Sequence, residues 1–294
     1  VSDLRIMWFP ESAIRMTAGA ADVHLFRMRI ESNGGTGIHA DGVEDLWIGR
    51  GRELDFEAFP DLDASDLANY DINVIRGNNG NGVVIQNSRN VNIYGTFIGY
   101  DRYPSGPDAC ASLGNGGVGL ILDNVQEAVV GGQYLLPEEQ EYFRDYMVSG
   151  QGNDYNPYPA FVAVGCNASG GVRIVGGGDI HMPGMGIGDS HLMNPYGQNA
   201  SFGLDIREVT GPFSYGPSPW ATDLDICSFG IIYFDRSVPV NIENNLAEVT
   251  LAGAQFVQIS DTLPDEVLRI QNNRAPVRLY HLAFTAGVTS GAIN

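Results

Sequence analysis

Residues 114–132, GNGGVGLILDNVQEAVVGG, contain two short apolar runs that are separated by a polar turn and bracketed by glycine. Leu120 and Leu122 alternate with their neighbours, and so do Ala128 and Val130, which is the periodicity of β-strands. Corresponding residues of the two runs lie eight positions apart. A unit this short cannot bury its own apolar face, so it requires other units to pack against.

The same pair of runs, with the same offset, recurs along the chain. Less regular copies begin at Leu204, where the second run falls on Pro212 and Ser214, and at Val257, where the turn is longer. The regular copies that we assign to the inward face are Ile38/Ala40 with Leu46/Ile48, Val83/Ile85 with Val91/Ile93, Val164/Cys166 with Val172/Ile174, and Ile232/Phe234 with Val240/Ile242.

Stacked units of this kind place equivalent strands about 4.8 Å apart and bury one continuous core. The pattern therefore predicts an all-β parallel β-helix, a solenoid that runs as a single domain over residues 1–294. A β-sandwich is the alternative, but it gives no reason for the constant offset. Four stretches lack the pattern and are predicted as loop insertions: 52–70, 101–113, 133–156 and 177–201. The insertion at 133–156 is predicted to contain a short helix at 137–147.

Residues 90–132 resemble the right-handed parallel β-helix repeat of secreted and cell-surface bacterial proteins. The matching elements are IGYD at 98–101, SG from Ser105, GNGGVGLIL and the closing VVGG. The resemblance implies a right-handed helix and an extracellular or cell-surface location. The tail of a virion is one such location. It implies no single activity, because the class contains adhesins, phage tailspikes, polysaccharide lyases and hydrolases.

The net charge of −19 restricts the partners. All 16 basic residues are arginine, and such an acidic surface repels nucleic acids and anionic membranes. It also repels an acidic polysaccharide unless Ca²⁺ bridges the two. No apolar run is long enough to insert into a membrane. The chain starts at Val1, so we expect a form trimmed at the N-terminus.

The three cysteines, Cys110, Cys166 and Cys227, allow at most one disulfide and leave the redox compartment open.

Outward positions form columns if the inward ones are assigned correctly. One predicted column runs Asp41, Gln86, Asp123, Asn167, Arg207, Asp235, a second runs His39, Val84, Ile121, Gly165, Asp205, Tyr233, and a third runs Trp47, Asn92, Val129, Arg173, Phe213, Asn241, Arg269. These columns would gather acids, arginines and aromatic rings on a flat sheet, which suits a bound sugar chain.

Two kinds of catalysis fit those columns. Two of Asp123, Asp205 and Asp235 could act as general acid and base, or as acid and nucleophile, of a glycoside hydrolase. Alternatively, the acids hold Ca²⁺ while Arg173 or Arg207 removes a proton in a lyase reaction. Tyr233 and Trp47 would contact the substrate. The competing interpretation is that Asp–Arg neighbours are ordinary surface ion pairs.

Residues 176–198 form a second candidate site, because the pattern Asp-x-His occurs there twice. Asp179 and Asp189 are candidate metal ligands, and His181 and His191 are candidate substrate-binding residues. The spacing matches no established metal motif, and incidental polar residues are the alternative.

The sequence thus favours an extracellular protein that binds or acts on a polysaccharide or cell-surface glycan. It would be a lyase, a hydrolase or a tailspike-like depolymerase, with Ca²⁺ or no cofactor, and a tailspike would be a homotrimer. The competing class is a non-catalytic adhesin or filament subunit.

Overall fold

A computed structural model describes residues 1–49, 72–100, 110, 113–131, 162–188, 199–215, 230–234, 238–252, 254–258, 268–280 and 283–285. Twenty-four strands lie in these residues, and every pairing between them is parallel. Each strand pairs with the equivalent strand of the next coil, and the pairing continues from β1 to β24. The predicted all-β parallel β-helix is therefore confirmed, while its right-handed sense stays a prediction.

Each coil contributes one strand to each of three sheets, which the chain visits in the order sheet 1, sheet 2, sheet 3. Sheet 1 has eight strands, so eight coils follow the leading strand β1. Sheet 1 consists of β2 (Ile14–Met16), β5 (Ile38–Asp41), β8 (Val83–Gln86), β11 (Val118–Asp123), β14 (Gly170–Val175), β16 (Phe202–Arg207), β19 (Val238–Glu243) and β22 (Leu268–Gln271).

Sheets 2 and 3 are joined at one point, because β15 (Gly178–Ile187) belongs to sheet 2 at its start and to sheet 3 at its end. The other strands of sheet 2 are β3 (Ala21–Leu25), β6 (Glu44–Ile48), β9 (Arg89–Ile93), β12 (Gln126–Gly131), β17 (Phe213–Tyr215), β20 (Val249–Ala252) and β23 (Val277–Tyr280). Those of sheet 3 are β1 (Arg5–Met7), β4 (Arg29–Glu31), β7 (Asn73–Arg76), β10 (Thr96–Ile98), β13 (Val162–Val164), β18 (Gly230–Phe234), β21 (Ala254–Gln258) and β24 (Ala283–Thr285).

Apolar side chains fill the interior because each strand alternates inward and outward residues. The inward residues of neighbouring coils lie in register and form one buried cluster. Stacks of β-branched and leucine side chains pack well on the pleated surfaces of strands. One such stack in sheet 1 is Ile38, Val83, Leu120, Val172, Leu204 and Val240, and its counterpart in sheet 2 is Leu46, Val91, Ala128, Ile180, Phe213 and Val249.

The predicted phase of the repeat is wrong for the copies that begin at Val164, Ile232 and Val257, whereas Leu204 and Ile206 lie inward in sheet 1 as predicted. Val164 lies in sheet 3, and Val172 is in register with Leu120, so Val172 opens a new coil. Ile232 likewise lies in sheet 3, and Val240 opens the next coil. The error arises because a strand of sheet 3 has the same alternation as a strand of sheet 1, and alternation alone does not distinguish the two.

The predicted loop at 177–201 is also wrong in part, because β15 occupies Gly178–Ile187. The predicted insertions at 52–70 and 133–156, and the helix at 137–147, lie outside the described residues.

Buried asparagines mark the corner where the chain passes from sheet 3 to sheet 1. Five lie in the described residues, and the side-chain Nδ2 of each of the first four donates to the Oδ1 of its counterpart in the next coil, over 2.8, 2.9, 2.9 and 3.0 Å. All five Nδ2 groups also donate to a main-chain carbonyl oxygen in a sheet 3 strand. These buried amides are thus hydrogen-bonded, as buried polar groups must be. We call this row the asparagine ladder; it consists of Asn33, Asn78, Asn115, Asn167 and Asn199.

A glycine stands four residues after each asparagine of the ladder. A Cβ atom on Gly119 would lie 2.3 Å from Cγ1 of Val164 and 2.6 Å from Nδ2 of Asn167, which leaves no room for a side chain. The recurring corner is therefore Asn-x-x-x-Gly, and the glycines are Gly37, Gly82, Gly119, Gly171 and Gly203.

One disulfide closes beside this ladder. Cys110 and Cys166 are bonded, with their Cα atoms 4.7 Å apart, and Cys166 directly precedes Asn167. A single pair is what the cysteine count allows, and Cys227 lies outside the described residues.

We predict that Asn115→Ala destabilises the protein by about 3 kcal/mol. The change removes the donor and acceptor of four hydrogen bonds and leaves buried partners unpaired, each of which is costly. Urea unfolding followed by circular dichroism measures the effect. The control is Asn87→Gly, which deletes an exposed amide at φ 48° and should change stability by less than about 1 kcal/mol. Equal midpoints for the two variants would contradict a structural role for the ladder.

Candidate functional site

The outward columns of sheet 1 differ from the predicted ones at the fifth and seventh coils, because the predicted phase of the repeat is wrong there. One column reads Arg15, His39, Val84, Ile121, Arg173, Asp205, Asn241 and Arg269. The other reads Asp41, Gln86, Asp123, Val175, Arg207, Glu243 and Gln271.

Asp205 is the centre of a charged cluster on this face. Its Oδ2 accepts from Nε of Arg173 over 3.0 Å, and its Oδ1 accepts from Nε of Arg207 over 2.7 Å. Nδ2 of Asn241 donates to the same Oδ1 over 2.9 Å. The Asp205 side chain is only 2% exposed, whereas those of Arg173 and Arg207 are 35% and 45% exposed. The carboxylate is thus held by three donors, one from its own strand and one from each of the two neighbouring strands.

The arginines of this cluster are fixed as well. The hydrogen bond with Asp205 raises the pKa of Arg207 above its usual value. The guanidinium of Arg173 lies 4.7 Å from the ring centroid of Phe202, a cation–π contact. Asp205, Arg173 and Arg207, predicted as catalytic, are therefore together, but in an arrangement that is typical of a structural ion network.

Asp123 lies apart from that cluster. It accepts from Nε2 of Gln86 over 2.9 Å, and its register partner in the next coil is Val175. Asp123 and Arg207 lie in one column two coils apart, as predicted, but Val175 occupies the place between them that was predicted for Asn167. Asn167, which was expected in this column, is buried in the asparagine ladder instead.

The remaining predicted residues of sheet 1 do not join the cluster. Tyr233 lies in β18 of sheet 3, in register with Val257, so its predicted place in the column of Asp205 is wrong. Asn241 occupies that place. Asp235 lies outside the described residues, as do Asp189 and His191 of the second candidate site.

We predict that Asp205→Asn lowers the free energy of unfolding by about 1 to 2 kcal/mol. The amide cannot satisfy two guanidinium groups, and their partial exposure limits the loss through solvation. Asp41→Asn is the control, since Asp41 is an exposed acid of the same sheet that accepts from Asn87, and it should change stability by less than about 0.5 kcal/mol. Thermal and urea unfolding of both variants test this. Wild-type stability in Asp205→Asn would show that the cluster is not structural.

The outward column of sheet 2 carries the other predicted residues. Trp47 stacks on His24 with 5.8 Å between ring centroids, and the ring of Tyr94 lies 6.1 Å from that of Trp47. The predicted place of Arg173 in this column is wrong, because His181 occupies it. We call the column the sheet 2 strip; it consists of His24, Trp47, Asn92, Val129, His181, Ser214, Thr250 and Arg278.

A groove of about 320 Å³ lies on the strip at its sixth coil. Nδ1 of His181 forms a hydrogen bond with the hydroxyl of Ser214. Burial lowers the pKa of His181 below its usual value, which favours the neutral imidazole. The groove is lined by Asp179, Ile180, His181, Pro212, Phe213, Ser214, Glu248 and Thr250.

Two carboxylates line this groove, one exposed and one in an ion pair. Asp179 is exposed, with a positive φ of 54°. Glu248 forms an ion pair with Nε of Arg278 over 3.0 Å and accepts from the hydroxyl of Thr250 over 3.4 Å. Within the described residues, no three His, Cys, Asp or Glu side chains come close enough to hold a metal ion. The predicted metal ligand Asp179 therefore lacks described partners of that kind, and Ca²⁺ stays a prediction.

Of the His181–Ser214 pair, only His181 is a candidate from the sequence. The predicted phase made Pro212 and Ser214 inward, whereas Phe213 and Tyr215 are the buried residues. The turn before β17 is one residue longer than in earlier coils, which moves every following side chain to the other face. The pair of buried aromatic residues, Phe213 and Tyr215, was the available signal.

Comparison of the chain with protein-family models, with curated proteins and with solved structures found no match. The part of the chain that the structure describes contains no helix that is long and apolar enough to span a membrane.

Proposed function

We propose that this protein is an extracellular glycan-binding protein and that the sheet 2 strip is its binding surface. The observation that carries the proposal is the continuity of the strip: half-buried Trp47 and the groove around His181 lie on one face of one sheet, in one column. The flat ring of Trp47 and a row of amide, imidazole and hydroxyl groups suit a sugar chain that lies along the helix axis.

The charge of the protein favours a neutral glycan as the partner. With a net charge of −19, the surface repels uronates and sulfated sugars unless a divalent cation bridges them. Asp179 and Glu248 place further carboxylates in the groove itself.

The Cys110–Cys166 disulfide supports the extracellular part of the proposal. Such bonds persist in oxidising compartments and are rare in the cytosol.

A non-catalytic adhesin or filament subunit is the second candidate function. It is favoured because the acids on sheet 1 already have partners within the protein. Asp205 forms ion pairs with Arg173 and Arg207, and Asp123 is hydrogen-bonded to Gln86. A polysaccharide hydrolase would need these acids free to exchange protons, and a lyase would need them free to bind Ca²⁺.

We expect binding to neutral glycans on an array, with and without chelator, and a loss of at least about tenfold in affinity for Trp47→Ala, about 1.4 kcal/mol. Trp8→Ala is the matched control, because Trp8 is 75% exposed and lies outside the strip, and it should bind as the wild type does. Circular dichroism checks that both variants fold. Failure of the wild type to bind any glycan in either condition would reject the proposal.

A further inference from the structure

The groove on the sheet 2 strip contains a nucleophile beside a base. We propose that Ser214 and His181 form a pair that hydrolyses esters by acyl transfer, a chemistry that the glycan-binding proposal does not include. Its substrate class is a neutral acyl ester, and if the glycan-binding proposal holds, this is an O-acylated sugar.

The backbone fixes the pair. His181 in β15 and Ser214 in β17 are register partners on adjacent parallel strands, about 4.8 Å apart, so both side chains leave the same face at the same level. Their hydrogen bond therefore follows from the sheet itself. Nucleophile and base within hydrogen-bonding reach are the arrangement that activates a serine hydroxyl.

The surroundings suit the required protonation states. In the tautomer that carries its proton on Nε2, the half-buried His181 accepts the hydroxyl of Ser214 at Nδ1. When the ring takes up that proton, the carboxylates of Asp179 and Glu248 in the same groove stabilise the cation electrostatically. Pro212 and Phe213 belong to the lining, and the space beside the hydroxyl admits an acyl group.

The reaction balances without a cofactor. Oγ of Ser214 bonds to the acyl carbon while its proton moves to Nδ1 of His181, and the carbonyl oxygen takes the negative charge. The bond to the alcohol then breaks, and the alcohol leaves with the proton from His181. Water attacks the acyl-serine with His181 as base, which releases the carboxylic acid and restores both residues.

A fluorophosphonate probe tests the pair on the full chain, because it labels activated serines without any need for a glycan. We expect one adduct on Ser214, located by peptide mass spectrometry, together with turnover of p-nitrophenyl acetate. Ser214→Ala should abolish both. His181→Gln keeps an acceptor for the hydroxyl but cannot take its proton, and it should label at least about 100-fold more slowly.

Ser169→Ala is the matched control, since Ser169 has an exposed hydroxyl outside the groove, and it should label like the wild type. Circular dichroism establishes that the variants fold. Absence of an adduct on Ser214, or labelling of His181→Gln at the wild-type rate, overturns the inference. Labelling without glycan binding would reject only the glycan-binding proposal, and glycan binding without labelling would reject only this one.

Discussion

The asparagine ladder is the interaction on which the rest of the fold depends. Its amides are buried in an apolar stack, where an unpaired donor or acceptor would cost about 1 to 3 kcal/mol. They are satisfied only when each asparagine lies directly above its counterpart in the next coil, which fixes the register of the coils at one corner. Because a shift by one residue turns every side chain of a strand to the other face, that register also decides which residues are core and which are surface.

The ladder also explains how coils of different length stack. Its successive members are separated by 45, 37, 52 and 32 residues, yet the hydrogen bonds between them are nearly identical. The differences in length are therefore accommodated elsewhere in each coil. The glycine four residues later allows the close approach of main chain at the corner, so the solenoid repeats a corner geometry rather than a sequence length.

These facts explain what the sequence could and could not predict. Local alternation was enough to predict the parallel β-helix and the inward residues of the second to fourth coils, such as Leu120 and Ala128. Alternation could not distinguish a strand of sheet 3 from a strand of sheet 1, so Val164 was assigned to the wrong sheet. The Asn-x-x-x-Gly corner at Asn167 and Gly171 would have restored it.

The candidate site shows the same limit in another form. His181 was identified from its own sequence context, but its partner Ser214 lies 33 residues away and depends on an exact register. The charged residues of sheet 1 were taken from columns that were correct for Asp123, Asp205 and Arg207, whereas the place after Arg207 is occupied by Glu243. A residue type and a spacing predict a candidate, and only the register between coils decides which candidates meet.

The most direct test of the ladder is native-state hydrogen exchange of its backbone amides. The amides of Asn33, Asn78 and Asn167 each donate to the Oδ1 of the next asparagine over 3.1 to 3.2 Å. If the ladder fixes the register, these corner amides exchange as slowly as the amides of the sheet 1 strands, and they exchange only when those strands open as well. Exchange at the rate of exposed turns, with the strands still protected, would contradict the account.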